Sequence, residues 1–101
     1  MGFESWPGYN THGVSKAGVV ALTHALAGAL APRVRVNAVA AGFVLAPKGY
    51  PVRAQREFAR ATPLRRLGSP ADVAGAVRYL ATAEFVTGET LFVDGGRRGA
   101  R

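Results

Sequence analysis

From residue 11 to residue 31, apolar and small side chains return at every third or fourth position: Val14, Ala17, Ala21, Leu22, Ala25, Leu26, Ala29 and Leu30. That period predicts one long helix. Asn10 or Thr11 is placed to cap it, Pro32 stops it, and residues 1–10, with Trp6, Pro7, Gly8 and Tyr9, read as a loop. Glycine and alanine at 13, 17, 18, 21, 25, 28 and 29 would let another helix or a sheet approach closely. Residues 33–40, RVRVNAVA, alternate arginine with β-branched valine and then turn apolar, the pattern of a strand whose far half is buried. Gly42, Pro47, Gly49 and Pro51 mark a loop over 41–51, and 52–62 is a short amphipathic helix with arginines outward. Ser69, Pro70 and Asp72 form a helix start: a cap, a proline at the first helical position and the acid of a capping box. Val73, Ala76, Val77 and Leu80 make the apolar face of that helix. Glu84 to Gly88 form a turn, 89–96 (ETLFVDGG) a second strand, and 97–101 a frayed tail.

The order is helix, strand, two helices, strand. A helical connection between two strands implies that they are parallel. Parallel strands are normally covered on both faces and flanked by neighbours, which two strands cannot provide for each other. The first helix also lacks a strand before it. The pattern is therefore α/β, the C-terminal part of a Rossmann-like doubly wound parallel sheet, with the N-terminal nucleotide-binding half missing from these residues. No G-x-G-x-x-G follows a strand and no P-loop is present. One partial domain is expected over 1–101, with 11–96 as its patterned segment.

Composition narrows the function classes. The chain has 101 residues, 49% hydrophobic and 19% charged, which suits a folded chain rather than a disordered one. Without cysteine there is no disulfide framework and no thiolate metal site, which fits a reducing cytoplasm. The start, MGFESWPGYN, has no signal-peptide pattern. No apolar run approaches the roughly 18 residues of a membrane span. The net charge is +7 and eleven of the 13 basic residues are arginine. They are scattered, with no run of five like charges. The expectation is a solvated basic surface, with neither nucleic acid nor membrane as partner.

The candidate chemistry sits in HGVSK, residues 12–16, where His12 and Lys16 are four apart on one helix face. Three stretches in order carry a resemblance: SKAGVVALTHALAGALAPRVRVNAVAAGFV, PLRRLGSPADVAGAVRYLAT and VTGETLFVDGG. Residues 9–96 resemble the last part of short-chain dehydrogenases/reductases, nearest the 3-oxoacyl-acyl-carrier-protein reductase-like branch. The resemblance implies an oxidoreductase that moves a hydride between a carbonyl and an alcohol with NAD or NADP. It implies a Tyr-x-x-x-Lys pair in which tyrosine handles the substrate proton while lysine holds the cofactor ribose and favours the phenolate. It also implies subunit contacts, hence self-association or pairing with a full-length relative.

On that template Lys16 is the family lysine and His12 stands at the tyrosine position. The exchange has a chemical consequence. An ammonium one turn away stabilises a phenolate but disfavours an imidazolium, so His12 would be a neutral base and a poor acid. Reduction would suffer more than oxidation. Tyr9 lies about 10.5 Å from Lys16 along a helix axis, against about 6 Å for His12, and reads as a loop residue, so it is a poor substitute. The family serine would lie before Met1; Ser5 is too close to His12 and reads as a polar loop residue. Gly42 and the backbone of Val44 are the remaining candidates for approach to a nicotinamide, while Ala46 stands where the family carries a threonine. No metal site is expected, since His12 and His24 are too far apart to share one and His24 reads as a capped or half-buried structural residue. Asn37 reads as structural and Asp94 as a turn former. The chain alone is expected to be a truncated oxidoreductase with little or no activity, or else a non-enzymatic interaction remnant.

Overall fold

The computed structural model describes the backbone of residues 7–97 and the side chains of residues 15–97. Its elements are α1 (Pro7–Leu30), β1 (Ala38–Ala41), α2 (Val52–Ala61), α3 (Pro70–Thr82) and β2 (Thr90–Val93). The two strands form one sheet. The Ala38 amide donates to Glu89 O and the Gly42 amide to Val93 O, both at 2.9 Å. Both strands advance four residues between those bonds, so they are parallel, as the helical connection requires.

Two expectations at the helix and strand ends are corrected. α1 begins at Pro7, not at residue 11, so Tyr9 and Asn10 are helical rather than loop and cap. Proline suits a first helical position, because its φ is preset and its missing N–H would have no partner there. The strands are shorter than 33–40 and 89–96. Residues ahead of β1 face the turn at 84–89, which gives one backbone bond, from the Gly88 amide to Val36 O at 2.8 Å, and otherwise a side chain: the Val36 amide donates to Thr87 Oγ1 at 3.0 Å. β2 ends at Val93 because Asp94 turns the chain, its Oδ1 accepting from the Gly96 amide at 3.0 Å.

The chain forms two compact units, Met1–Ala38 with Ala83–Thr90, and Val39–Thr82 with Leu91–Arg101. In the first, Thr23 and Ala27 are the buried residues of α1 among those whose side chains are described. Thr23 Oγ1 donates to Val19 O at 2.7 Å, which removes a buried hydroxyl's penalty. Gly88, at φ +79°, passes over Ala27, where a Cβ would come within 3.4 Å of the alanine Cβ. Asn37 ties this turn at both ends: Nδ2 donates to Val86 O and Oδ1 accepts from the Glu89 amide, each at 3.0 Å. The structural reading of Asn37 is therefore correct. Val19, Leu22, Leu26 and Leu30 remain 40–59% exposed along α1.

In the second unit, α3 starts with the reciprocal bonds its sequence predicts. The Ser69 amide donates to Asp72 Oδ2 at 2.8 Å and the Asp72 amide to Ser69 Oγ at 3.4 Å. Ala76 and Leu80 are buried, but Val77 is 51% exposed, at the edge of the apolar face rather than in it. α2 presents Arg53, Arg56 and Arg60 outward, as its pattern predicts. Its last turn is closed by Thr62 Oγ1, which donates to Phe58 O at 2.8 Å, and by Arg65 Nη1, which donates to Arg60 O at 2.7 Å. Phe43 holds Phe58 and Tyr50 edge to face, with ring centroids 4.8 and 5.2 Å away.

Candidate active site

α1 is continuous through His12 and Lys16, so the two lie one turn apart with about 6 Å of rise between them. The side chain of His12 lies outside the described residues, as do those of Tyr9 and Ser5. The Lys16 side chain is half-buried and engaged in contacts of its own. Tyr9 is on the helix after all, two turns from Lys16, which leaves its distance along the axis as the objection to it. His24 is exposed rather than capped or half-buried, because its turn of α1 buries only Thr23 and Ala27. Among the described residues no group of three or more His, Cys, Asp or Glu could hold a metal ion. No helix there is long and apolar enough to cross a membrane.

Gly42 and Val44 belong to the second unit, whereas Lys16 belongs to the first. Gly42 closes the end of β1. A Cβ on it would stand 3.0 Å from Asp94 Cα and 3.1 Å from Asp94 Cβ, so the two strand ends can meet only if one lacks a side chain. Both Gly42 and Val44 border an open apolar groove of about 720 Å3, whose other side is formed by Leu45, Pro47, Tyr50 and Val73. The loop that carries them is pinned by the Gly68 amide, which donates to Phe43 O at 2.9 Å. The Val44 amide itself makes no hydrogen bond among the described residues.

Beside this loop is an ion pair that the spacing of the sequence did not disclose. Arg66 Nη1 meets Asp72 Oδ2 at 3.1 Å and Nη2 meets Oδ1 at 3.3 Å. The Arg66 hydrogen bond, followed by the Ser69 amide and hydroxyl, lowers the Asp72 carboxyl to about 2. Asp72 thus serves α3 and the 66–68 segment together. The only sign of this in the sequence is a basic residue near an already assigned capping acid.

The whole of this arrangement has relatives. Residues 1–98 match the family described as enoyl-(acyl carrier protein) reductase. An uncharacterised oxidoreductase of Mycobacterium tuberculosis is 45% identical over 102 residues, covering 95% of this chain and 39% of that protein. A 3-oxoacyl-[acyl-carrier-protein] reductase of Thermotoga maritima is 40% identical over 101 residues, covering 95% of this chain and 41% of its own length. The crystal structure of a short-chain dehydrogenase from Leptospira borgpetersenii with bound NAD+ superposes with a TM-score of 0.75 at 34% identity, over 88% of this chain and 35% of that one. The chain therefore spans about two fifths of the length of the curated relatives it matches. It belongs to the short-chain dehydrogenase/reductase family, in the branch of the 3-oxoacyl-acyl-carrier-protein reductases.

Proposed function

We propose that these residues carry the catalytic-helix portion of an NAD- or NADP-dependent oxidoreductase acting between a carbonyl and an alcohol. The observation that carries the reading is Lys16 on an unbroken α1, one turn from His12, in a chain that matches the family from end to end. The bound dinucleotide would supply or accept the hydride. Lys16 would hold its ribose through the ammonium. Within the second unit, taken by itself, Gly42 and the Val44 amide, which makes no hydrogen bond among the described residues, are the backbone that the family resemblance assigns to approach by a nicotinamide. Those features fit such a cofactor. His12 would take a proton from an alcohol as a neutral base, which favours oxidation over reduction.

The chain alone holds two fifths of such an enzyme, so its activity by itself is expected to be absent or weak. The cysteine-free composition fits a cytoplasmic protein. A second reading has its own support: the exposed stripe of Val19, Leu22, Leu26 and Leu30 on α1 would serve self-association or pairing with a full-length relative. Calorimetric titration of NADH and NADPH into the purified chain, beside Lys16→Ala, tests the first reading. Binding that the variant weakens by about tenfold or more supports it, a loss of at least about 1.4 kcal/mol. A folded chain that binds neither nucleotide refutes it, and light scattering on the same sample then decides the second.

A further inference from the structure

Aspartate or asparagine is followed by glycine once in the chain, at Asp94–Gly95. The fold places that pair in a tight turn. The Arg97 amide donates to Asp94 O at 3.1 Å, which closes four residues just after β2. Gly95 and Gly96 sit at φ +65° and +88°, the left-handed pair that a type I′ turn requires. The Gly96 amide donates to Asp94 Oδ1 at 3.0 Å, so the side chain folds back along its own backbone. Closing that ring sets the carboxyl carbon over the Gly95 nitrogen. The Gly95 amide makes no hydrogen bond among the described residues. Its carbonyl, in contrast, accepts from the Leu64 amide at 3.1 Å, and Thr62 Cγ2 fills the place of a Gly95 side chain. The peptide is thus fixed in position with its nitrogen uncommitted. Asp94, Gly95 and Gly96 also border a cavity of about 380 Å3, closed on its apolar side by Phe43 and Phe58, which has room for water.

We propose that Asp94 is a site of spontaneous isomerisation to isoaspartate, promoted by this turn. The Gly95 nitrogen attacks Asp94 Cγ and forms a five-membered succinimide. The Gly96 amide steadies the negative charge that develops on Oδ1. The other carboxyl oxygen leaves as water, with the proton of the Gly95 amide and one from solvent. Water from the cavity then adds to the main-chain carbonyl carbon of Asp94. The bond from that carbon to the Gly95 nitrogen breaks, the nitrogen regains its proton, and the new carboxyl group loses one to solvent. The main chain now runs through Cβ and Cγ, one carbon longer. That carbon enters beside Gly42, where even a Cβ would stand 3.0 Å from Asp94 Cα, so the ends of β1 and β2 are forced apart.

Trypsin reports the two aspartates separately, since Asp94 falls in peptide 79–97 and Asp72 in peptide 67–78, neither with another Asp or Asn. The full folded chain is aged in neutral buffer and digested, and isoaspartate in each peptide is counted with an isoaspartate-specific carboxyl methyltransferase. Peptide 79–97, excised before ageing, gives the rate without the fold. The expected result is isoaspartate at residue 94 forming about threefold faster in the folded chain than in the excised peptide, because the fold presets the geometry of attack. Asp72, followed by valine, stays at background. An equal or slower rate in the folded chain overturns the proposal, and so does isoaspartate that forms as readily at Asp72.

Discussion

Replacing Asn37 with alanine removes both ties between the start of β1 and the turn at 84–89. Each bond is 3.0 Å long, one donated by Nδ2 to Val86 O and one accepted by Oδ1 from the Glu89 amide. A typical net worth of about 1 kcal/mol per bond gives about 2 kcal/mol. Two features lower that figure. Val86 O keeps a second donor, Arg35 Nη1 at 3.4 Å, and the Glu89 amide lies where water can reach it. The expected loss is therefore about 1–2 kcal/mol. Urea unfolding followed by circular dichroism would show a lower midpoint with an unchanged slope, since the area exposed on unfolding hardly changes. Asn37→Asp separates the two bonds. It keeps the acceptor for Glu89 but sets a carboxylate oxygen against the Val86 carbonyl, so it should cost at least as much as alanine. A loss under about 0.3 kcal/mol for Asn37→Ala would show that the turn is held by packing alone and would refute the clamp.

Other changes have outcomes of comparable clarity. Gly95→Ala forces a Cβ to within 2.6 Å of Thr62 Cγ2 at φ +65°, and a loss of about 2–3 kcal/mol is expected in the same unfolding assay; a neutral result would mean that the 94–96 turn rearranges freely. Asp72 gives an acid dependence. Its carboxyl is lowered from 3.8 to about 2 in the folded chain, so its contribution is complete above pH 4 and is lost as pH falls toward 2. Asp72→Asn should flatten that part of the stability profile, and a profile identical to the parent chain would remove the Arg66–Asp72 pair from consideration. Lys16→Ala should leave unfolding nearly unchanged while weakening dinucleotide binding; an equal loss of both would make Lys16 a packing residue.

The candidate site was legible where chemistry rides on spacing within one helix. His12 and Lys16 share a face of α1 because they are four apart, and no tertiary contact is needed to say so. The Ser69–Asp72 box was legible for the same reason. Gly42 was legible as a special position, but its physical requirement was not: the closeness of Asp94 Cα depends on β2, far along the chain. Arg97 gave no signal at all, since its contact with the ring of Phe58 exists only once residues far apart in the chain have met.

The sequence by itself determined the elements that local rules govern: the apolar period of α1, the arginine face of α2, the capped start of α3 and the Asp94 turn. In each, the groups that decide lie within about four residues, so pattern and capping chemistry suffice. Only the tertiary structure decided how long the strands run, that Asn37 clamps a turn 49–52 residues away, that Val77 faces outward, and which side chains enclose a cavity. Those outcomes depend on partners brought together by chain closure over tens of residues, and a ladder hydrogen bond or a buried face exists only once its distant partner is in place.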